Sequence, residues 1–267
     1  MAGFDYHLSS RQIHGKVPQA QKDSIVHVRT FSNPDELSST AAALWLAGLR
    51  SRPDRKIPYC VALSGGRITT DFFEEIVKQA NQGGSDSIFD NVHFFWADER
   101  CVPPTDPESN YAMARELLFE PLKIPEDQIH RLRGEGPEPE ALQEAVSAIC
   151  KVAPMSNGQP VLDIVFLGMG ENGHIASLFP EESEQEMNNP AIYRAVTTVK
   201  PPPRRMTLGY AAIAAAREVW VLISGKGKEE ALKKSLLPTG VTPLGRVMSL
   251  RKETTIYTDV QTDLENL

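Results

Sequence analysis

The sequence predicts an α/β fold with a mainly parallel sheet and helices on both of its faces. From Ile25 onward, short apolar or β-branched runs alternate with longer stretches of helical periodicity, which is typical of strands joined by crossover helices. Several of the short runs are followed directly by glycines or charged residues, as expected where parallel strands end in ligand-binding loops.

Each predicted strand is short because its apolar run is bounded by polar residues or glycine. The first predicted helix begins at Pro34, since proline is tolerated in the first turn of a helix. The expected strands are 25–30, 59–63, 92–96, 164–167, 193–198, 219–223 and 255–258, and the expected helices are 34–49, 70–80, 111–118, 138–150, 207–216 and 227–236.

Length and composition favour a single domain over residues 25–267, preceded by a polar leader over residues 1–24. The chain has 267 residues, of which 41% are hydrophobic and 24% are charged, enough to bury one sizeable core. The first 24 residues are polar, show no periodicity and lack the apolar run of a signal peptide. We therefore expect a loose leader and a cytoplasmic location.

Charge and cysteine content exclude several classes of function. The net charge of −7 argues against a nucleic-acid partner, which needs a broad basic surface. No run of about 18 apolar residues occurs, so no membrane-spanning helix is predicted. The three cysteines form no CxxC pair, which argues against a zinc site and a disulfide framework. An anionic ligand would have to be bound by a local cluster of positively charged side chains.

Two glycines follow the second predicted strand, in the segment SGGRITT at residues 64–70. Gly65 and Gly66 allow close approach of the backbone. Backbone N–H groups at the start of the next helix, with the Ser64 hydroxyl beside them, outline an anion site. The motif matches neither GxGxxG nor the P-loop, so neither a dinucleotide nor ATP is indicated. The alternative is a tight turn without a ligand.

Three charged residues, Asp98, Glu99 and Arg100, end the third predicted strand. Arg100 could bind a substrate oxygen, and Asp98 could orient it or accept a proton. The alternative is a solvent-exposed turn whose charges pair with one another.

The segment GMGENGH at residues 168–174 follows the fourth predicted strand. Its glycines allow a tight turn and leave His174 near the start of the next turn or helix. An imidazole has its unperturbed pKa close to working pH, so His174 could act as a general base that activates water.

Two later segments carry basic residues, RRMTL at residues 204–208 and SGKGK at residues 224–228. Arg205 precedes a predicted helix and Lys228 follows a predicted strand, so both could face the edge of the sheet that carries the SGG segment. Together they could neutralise a dianionic phosphate. The alternative is that these basic residues are ordinary surface residues that bind no ligand.

Taken together, these motifs resemble the 6-phosphogluconolactonase group of the glucosamine-6-phosphate isomerase superfamily. The resemblance runs from about Ser32 to Thr258. Its carriers are SGG at 64–66, DERCVP at 98–103, SNY at 109–111, GMGENGHIASLFP at 168–180, RRMTL at 204–208 and SGKGK at 224–228. It implies a modified Rossmann-like, doubly wound sheet. It also implies a carboxylic ester hydrolase that converts 6-phosphogluconolactone to 6-phosphogluconate, the second step of the oxidative pentose phosphate pathway.

For the site, the resemblance implies that His174 draws a proton from water and that Arg100 positions or stabilises the reacting end. The residues implied to hold the 6-phosphate are Ser64, Gly65, Gly66, Arg205 and Lys228. No metal or organic cofactor is expected, because activated water can attack a lactone carbonyl without one. The expected partner is the phosphosugar lactone, and the chain is expected to be a monomer or weak homodimer.

Two positions depart from the family pattern. Arg67 stands where the family usually has a small hydroxyl residue, and it could add a phosphate contact or point to solvent. Asn172 stands where the family usually has Asp. Its amide can orient the imidazole by hydrogen bonding, but it cannot stabilise an imidazolium by charge.

Two other functions remain open. A glucosamine-6-phosphate isomerase or deaminase would bind a similar phosphosugar, but its AFNEP pattern supplies a glutamate, whereas residues 176–180 here are ASLFP. The arginine of DER, where the deaminases tend to carry a tyrosine, also favours the lactonase. The other alternative is a phosphosugar-binding module without activity. Asn172 and Arg67, the two departures from the family pattern, are the features that favour it.

Overall fold

The structure is a computed structural model that describes residues 3–7, 24–82, 86–237 and 242–261. The strands in these ranges are β1 (Gly3–His7), β2 (Ile25–Thr30), β3 (Tyr59–Leu63), β4 (Val92–Trp96), β5 (Asp98–Arg100), β6 (Met155–Ser156), β7 (Gln159–Pro160), β8 (Ile164–Gly168), β9 (Tyr193–Thr197), β10 (Arg204–Leu208), β11 (Glu218–Ile223) and β12 (Glu253–Thr258). The α-helices are α1 (Pro34–Arg50), α2 (Arg67–Gln82), α3 (Asn110–Ala114), α4 (Glu120–Leu122), α5 (Glu138–Val152), α6 (Glu184–Met187), α7 (Tyr210–Ala215), α8 (Glu229–Leu236) and α9 (Pro243–Ser249).

A seven-stranded sheet with the order β1-β2-β12-β11-β8-β3-β4 forms the centre of the fold. All neighbours from β2 to β4 run parallel. The inner strands are nearly continuous apolar runs because helices cover both faces; in β3, the four residues from Cys60 to Leu63 are all buried. The predicted α/β class and mainly parallel sheet are confirmed.

The winding of this sheet reverses between β3 and β8. From β3 the chain adds β4 on one side, and β8, β11 and β12 then follow on the other side. The SGG segment after β3 and the GMGENGH segment after β8 therefore leave the sheet side by side. Open α/β sheets bind ligands at such a reversal, so the candidate site lies there.

Aromatic side chains join the first two helices to the sheet. Trp45 of α1 contacts Phe72 of α2, and it meets Phe166 of β8 edge-on with 5.3 Å between ring centroids. Phe166 also contacts Trp220 of β11. Fully burying one such side chain stabilises the fold by roughly 1.5–3 kcal/mol, so these rings are a large part of what holds the strand ends of the site in place.

The N-terminal segment differs from the loose leader that the sequence predicted. Gly3–His7 forms β1, which pairs antiparallel with β2. The edge of β2 offers unpaired backbone groups, and a short strand can satisfy them whatever its composition. The rest of the expected leader, residues 8–23, lies outside the described residues, as do the last residues of the expected domain, 262–267.

A second, antiparallel sheet is the main correction to the predicted elements. We expected residues 193–198 in the main sheet and a helix over residues 207–216. The structure instead pairs β10 with both β5 and β9, and α7 begins only at Tyr210. Residues 205–208 are all buried, so this strand shows no alternation that would distinguish it from a helix.

Smaller corrections concern the helices. A single helix was expected over residues 111–118, but α3 ends at Ala114 and a π-helical segment follows over Arg115–Phe119. Helix α9 was not predicted; Thr242 caps it by accepting a hydrogen bond from the Gly245 N–H. In the described ranges, no helix has both the length and the apolar character needed to cross a membrane.

Candidate active site

His174 lies in a tight turn after β8, not at the start of a helix. Its Nδ1 is 2.5 Å from Asn172 Oδ1, and its backbone N–H donates to the same oxygen at 3.3 Å. Because a backbone N–H can only donate, the Asn172 atom facing it is the amide oxygen, and Nδ1 therefore carries the ring proton. This leaves the lone pair on Nε2, the ring atom that can accept a proton.

The environment of His174 favours its neutral form. The pKa of His174 is lowered to about 4, chiefly because burial penalises the charged imidazolium. Four positive side chains act in the same direction, in decreasing order Lys200, Arg205, Lys228 and Arg100. The imidazole is therefore a free base at neutral pH, as a residue that activates water must be.

Two neighbours fix the plane of the His174 ring. Phe179 stacks on it, with 5.1 Å between ring centroids and 28° between the planes. On another side the ring lies directly against Gly170, where a Cβ atom would overlap it. Glycine is needed at position 170 because the imidazole occupies the space that any side chain would fill.

Asp98 is buried and connects the loops around the site. Its Oδ2 accepts a hydrogen bond from Ser177 Oγ at 2.7 Å, and its backbone carbonyl accepts one from Asn110 Nδ2 at 2.8 Å. Asn110 in turn lies against Gly65, where a Cβ atom would overlap its amide oxygen. These contacts give Asp98 a positioning role; its acceptance of a proton from substrate stays a prediction.

Glu99 is buried as well, so the alternative of a solvent-exposed turn at residues 98–100 is wrong. Its carboxylate accepts hydrogen bonds from the Ser109 hydroxyl and from the backbone N–H groups of Asn110 and Tyr111. Glu99 therefore holds the N-terminus of α3. Burial raises the pKa of Glu99 to about 7, although these hydrogen bonds oppose the shift.

Arg100 follows on β5 and keeps part of its side chain exposed. Its Nη1 donates to the Glu108 carbonyl at 2.6 Å and lies 3.5 Å from Glu108 Oε2. Arg100 is close enough to His174 to contribute to the lowered pKa of the imidazole. The structure thus brings these two predicted residues to one site.

Arg205 occupies a different place from the one predicted. It lies within β10, opposite Arg100 of β5, and not before a helix. Its Nε donates to Pro202 O at 3.0 Å, and its Nη2 is 3.4 Å from both Lys200 O and Pro201 O. The guanidinium also lies 5.9 Å from the centroid of the Phe179 ring that stacks on His174. Arg205 therefore anchors the loop between β9 and β10.

The SGG segment joins the two strands at the reversal. The Ser64 hydroxyl donates a hydrogen bond to the Phe166 carbonyl of β8 at 2.9 Å. Its proton is therefore already engaged in a hydrogen bond within the protein. Gly66 has a φ of 114°, a conformation that favours glycine. Helix α2 begins directly at Arg67. The N–H groups of Thr69 and Thr70 donate to the Gly66 carbonyl, so the first-turn donors without an acceptor in the helix are those of Arg67 and Ile68.

Lys228 lies in the loop after β11, directly before α8. Its pKa is lowered first by burial and then by the charge of Arg67, which is exposed at the start of α2. The charges of Lys228 and Arg67 thus act on each other, and Arg67 is the first residue of α2. A chain of net charge −7 provides here a local positive region suited to a phosphate.

Three residues of the site were not singled out from the sequence: Asn110, Ser177 and Lys200. The first two lie in segments that carried the resemblance, SNY and GMGENGHIASLFP, but nothing in their spacing predicted a role. Lys200 lies in the loop between β9 and β10 and belongs to no motif. Its place near His174 depends on the second sheet, which the sequence did not predict.

Comparison with known proteins identifies the family. A family model described as glucosamine-6-phosphate isomerases/6-phosphogluconolactonase matches residues 32–256. A 6-phosphogluconolactonase of Haemophilus influenzae is 35% identical over 179 residues, which are 66% of this chain and 73% of that protein. The Homo sapiens 6-phosphogluconolactonase is 31% identical over 224 residues, which are 81% of this chain and 84% of the human one.

A solved structure gives the same result at the level of the fold. The 6-phosphogluconolactonase of Trypanosoma brucei superposes with a TM-score of 0.76 at 25% identity, covering 90% of this chain and 98% of that one. The matched residues include every strand end that forms the candidate site. The chain therefore belongs to the glucosamine-6-phosphate isomerase/6-phosphogluconolactonase family.

Proposed function

We propose that this protein hydrolyses 6-phospho-D-glucono-1,5-lactone to 6-phosphogluconate, as the second step of the oxidative pentose phosphate pathway in the cytoplasm. One observation carries the proposal: His174 is a neutral base with Nε2 available, surrounded by cations. The relatives named 6-phosphogluconolactonase support the same activity.

In the proposed reaction, His174 Nε2 takes a proton from water while the water oxygen attacks the lactone carbonyl carbon. The tetrahedral intermediate then expels the ring oxygen, which takes the proton from the imidazolium and becomes a hydroxyl group. Asn172 keeps the Nδ1 proton in place throughout, so Nε2 alone exchanges protons. The reaction needs neither a metal nor an organic cofactor, because the lactone carbonyl is electrophilic enough for activated water.

The substrate's phosphate is proposed to bind between the N-terminus of α2 and Lys228, with Arg67 as a second cation. Holding the phosphate there orients the lactone ring relative to His174 and removes part of the entropic barrier to attack. The backbone of Gly65 and Gly66 is proposed to lie against the phosphate. Catalysis needs one chain only, which fits a monomer or weak homodimer.

Two alternatives are weaker on specific observations. A deaminase would need a carboxylate shortly after the histidine, but this chain has Phe179 stacked on the imidazole and no acid in residues 176–180. A binding module without activity would have no use for a histidine held in one tautomer. The hydrogen bonds of His174 to Asn172 therefore favour the hydrolase.

The test is the rate at which the purified protein opens freshly made 6-phosphogluconolactone, corrected for spontaneous hydrolysis. We expect His174→Ala to lower kcat by about 10²–10⁴-fold, the usual contribution of a general base. KM should change little, because the cations of the phosphate site remain.

Either of two results would contradict this assignment. A His174→Ala variant with normal kcat would remove the residue as the base. If the wild-type protein opens no lactone above background, the hydrolase proposal is wrong; turnover of glucosamine 6-phosphate and binding of the phosphosugar would then decide between the alternatives.

A further inference from the structure

The loop that follows β11, residues 224–228, begins beside the end of the neighbouring strand β12. The two strands run parallel, and the last residues that they pair are Ile223 and Thr258. Ser224 and Asp259 are therefore the next residues along each strand, and both lie at the carboxyl edge of the sheet. Ligands bind at this edge in open α/β folds, so the loop and Asp259 belong to the surroundings of the candidate active site.

Asp259 binds the start of this loop with both oxygens of its carboxylate. The Ser224 hydroxyl donates to Oδ2 at 2.9 Å, and the Gly225 N–H donates to Oδ1 at 3.2 Å. Among the described residues, no other side chain forms a hydrogen bond with residues 224–227. Asp259 is thus the side chain that ties the loop to the sheet.

The carboxylate acts from a fixed position. Thr258, the residue before it, is fully buried. Its carbonyl accepts a hydrogen bond from the Phe31 N–H at 2.9 Å, and its hydroxyl accepts one from the Val260 N–H at 3.0 Å. Because the backbone on both sides of Asp259 is held in this way, loss of the bonds to the loop would free the loop and leave β12 in place.

The loop needs a restraint because its backbone turns through two glycines. Gly225 has a φ of 96° and Gly227 has a φ of 86°, and glycine loses more backbone freedom on folding than any other residue. Within the described part of the chain, no atom lies within 4 Å of a Cβ atom built on Gly225. Packing does not fix this side of the loop, so its shape depends on the hydrogen bonds to Asp259.

The other end of the loop lies against the GMGENGH segment. A Cβ atom on Gly227 would lie 3.6 Å from the Glu171 carboxyl carbon. Lys228 follows directly as the N-cap residue of α8. Ala231 in the first turn of that helix lies against Gly173, 3.6 Å from the position of a Cβ atom there. The direction in which the loop leaves β11 therefore sets where Lys228 lies relative to the turn of the base.

These contacts do not neutralise Lys228. Within the described ranges, no carboxylate lies at ion-pair distance from its ammonium group. Both oxygens of Asp259 accept hydrogen bonds from the start of the loop, so this carboxylate restrains the backbone that leads to Lys228 without pairing with the ammonium. The charge stays available for an anionic ligand.

We propose that Asp259 is a positioning residue for Lys228: its two hydrogen bonds hold the loop after β11 so that the ammonium meets the phosphate of the substrate. The inference rests on the proposed phosphate site and gives Asp259 a role without contact to the phosphate or the reacting atoms. Loss of the two bonds weakens phosphate binding equally in the ground state and in the transition state. The effect therefore falls on KM and not on kcat.

The first experiment measures kcat and KM for 6-phosphogluconolactone with the full-length wild type, Asp259→Ala and Asp259→Asn. Asp90→Asn, at an exposed aspartate in the turn before β4, is the matched control. We expect Asp259→Ala to raise KM about tenfold or more, the usual effect of removing hydrogen bonds to a charged group, with kcat changed less than about threefold. Asp259→Asn should keep most of the affinity, since its amide oxygen can accept from Gly225 and its NH₂ group can donate to the Ser224 oxygen.

The second experiment is a double-mutant cycle with Lys228→Met. If Asp259 acts through Lys228, Lys228→Met raises KM at least as much as Asp259→Ala, and the double variant Asp259→Ala/Lys228→Met loses little more than Lys228→Met alone. A role in stability alone would not depend on Lys228, so additive effects would overturn the inference. It would also be overturned by a wild-type KM in Asp259→Ala, or by an Asp259→Asn variant as impaired as Asp259→Ala.

A wild-type protein that opens no lactone would contradict the proposed hydrolysis, and the phosphate site is then tested separately. The probe is inorganic phosphate, titrated into the full-length protein while the Gly225 amide is observed by NMR. We expect Asp259→Ala to weaken phosphate binding in the wild-type background and to have no further effect in Lys228→Met. Equal binding by wild type and Asp259→Ala, or no binding by the wild type, would overturn the inference.

Discussion

At the scale of single residues, Asn172 decides how His174 works. The amide oxygen of Asn172 accepts hydrogen bonds from both Nδ1 and the backbone N–H of His174, so it fixes the tautomer as an aspartate would. It adds no negative charge, and nothing at this position opposes the effects of burial and neighbouring cations on the imidazole. We therefore predict that His174 acts as a well-oriented but weak base.

Replacing Asn172 by aspartate tests this interpretation. A carboxylate beside Nδ1 should raise the pKa of His174 by about 1–3 units, so the acid limb of kcat/KM should move to higher pH by that amount. We also expect kcat to rise, because the imidazolium formed during attack is stabilised. Asn157→Asp, in the exposed turn between β6 and β7, is the matched control. A pH profile identical to that of the wild type would contradict the role given to Asn172.

Gly170 offers a second test at this scale. A Cβ atom at this position would overlap the His174 ring, so Gly170→Ala should displace the imidazole and lower kcat by about 10²-fold or more, approaching the loss of the base itself. Gly48→Ala in α1 is the control, since no atom lies near its added Cβ. It should raise the free energy of unfolding by about 0.5–1 kcal/mol. A Gly170→Ala variant with normal kcat would show that the ring is not held there.

At the scale of elements, β5 connects the two halves of the site. Asp98 binds Ser177 in the turn that follows His174, and Glu99 binds the N-terminus of α3. The segment Asp98–Arg100 also pairs with β10, which carries Arg205. One short strand with two buried carboxylates thus sets the relative positions of the turn that follows His174, of α3 and of β10.

The buried Glu99 predicts how stability depends on pH. Its pKa is about 7 in the folded protein against an ordinary value of 4.5, so the unfolded chain loses this proton first as the pH rises. The Glu99 contribution to the free energy of unfolding should therefore fall by roughly 3 kcal/mol between pH 4.5 and pH 7 and stay constant above that.

The effect of Glu99 is isolated by urea unfolding of the wild type and Glu99→Gln at pH 5 and pH 8. The half-buried histidines, whose lowered pKa values act in the opposite direction, contribute equally to both proteins. We expect the stability advantage of the wild type over the variant to be larger at pH 5. The amide should be less stable at both pH values, because its NH₂ group faces N–H and O–H donors. An equal difference at the two pH values would contradict the raised pKa of Glu99.

At the scale of the whole molecule, the site is a positive region in an acidic chain. The reversal of the main sheet brings the loops after β3, β8 and β11 to one edge, and the second sheet adds the loop between β9 and β10. No single loop carries enough positive charge to hold a dianion. Their convergence concentrates the cations, while the net charge of −7 limits binding of unrelated polyanions elsewhere.

All of these loops come from one chain, so we predict that the site works without a partner subunit. We expect sedimentation velocity at micromolar concentration to give a mass near the 29.5 kDa of one chain, with at most weak dimerisation at higher concentration. Activity per chain should be independent of concentration in the same range. A dimer that persists at nanomolar concentration, with activity lost on its dissociation, would contradict this prediction.

Much of this architecture could be predicted from the sequence, for local reasons. Strand ends followed by glycine or charge marked the loops after β3, β4 and β8, since periodicity and turn chemistry depend on neighbouring residues. The same rules failed at β10, where residues 205–208 are all buried and leave no alternation. They also failed at β1, which forms because the edge of β2 is available to pair.

The sequence by itself therefore determined the α/β class and the family, and it predicted His174 as the base, because motifs such as the one around His174 depend on the local order of residues. Only the tertiary structure decided that Glu99 is a buried anchor and that Arg205 holds the loop between β9 and β10. The physical reason is that burial and the distance between charges depend on pairing between segments remote in sequence, as between β5 and β10. No local pattern in the chain encodes that pairing.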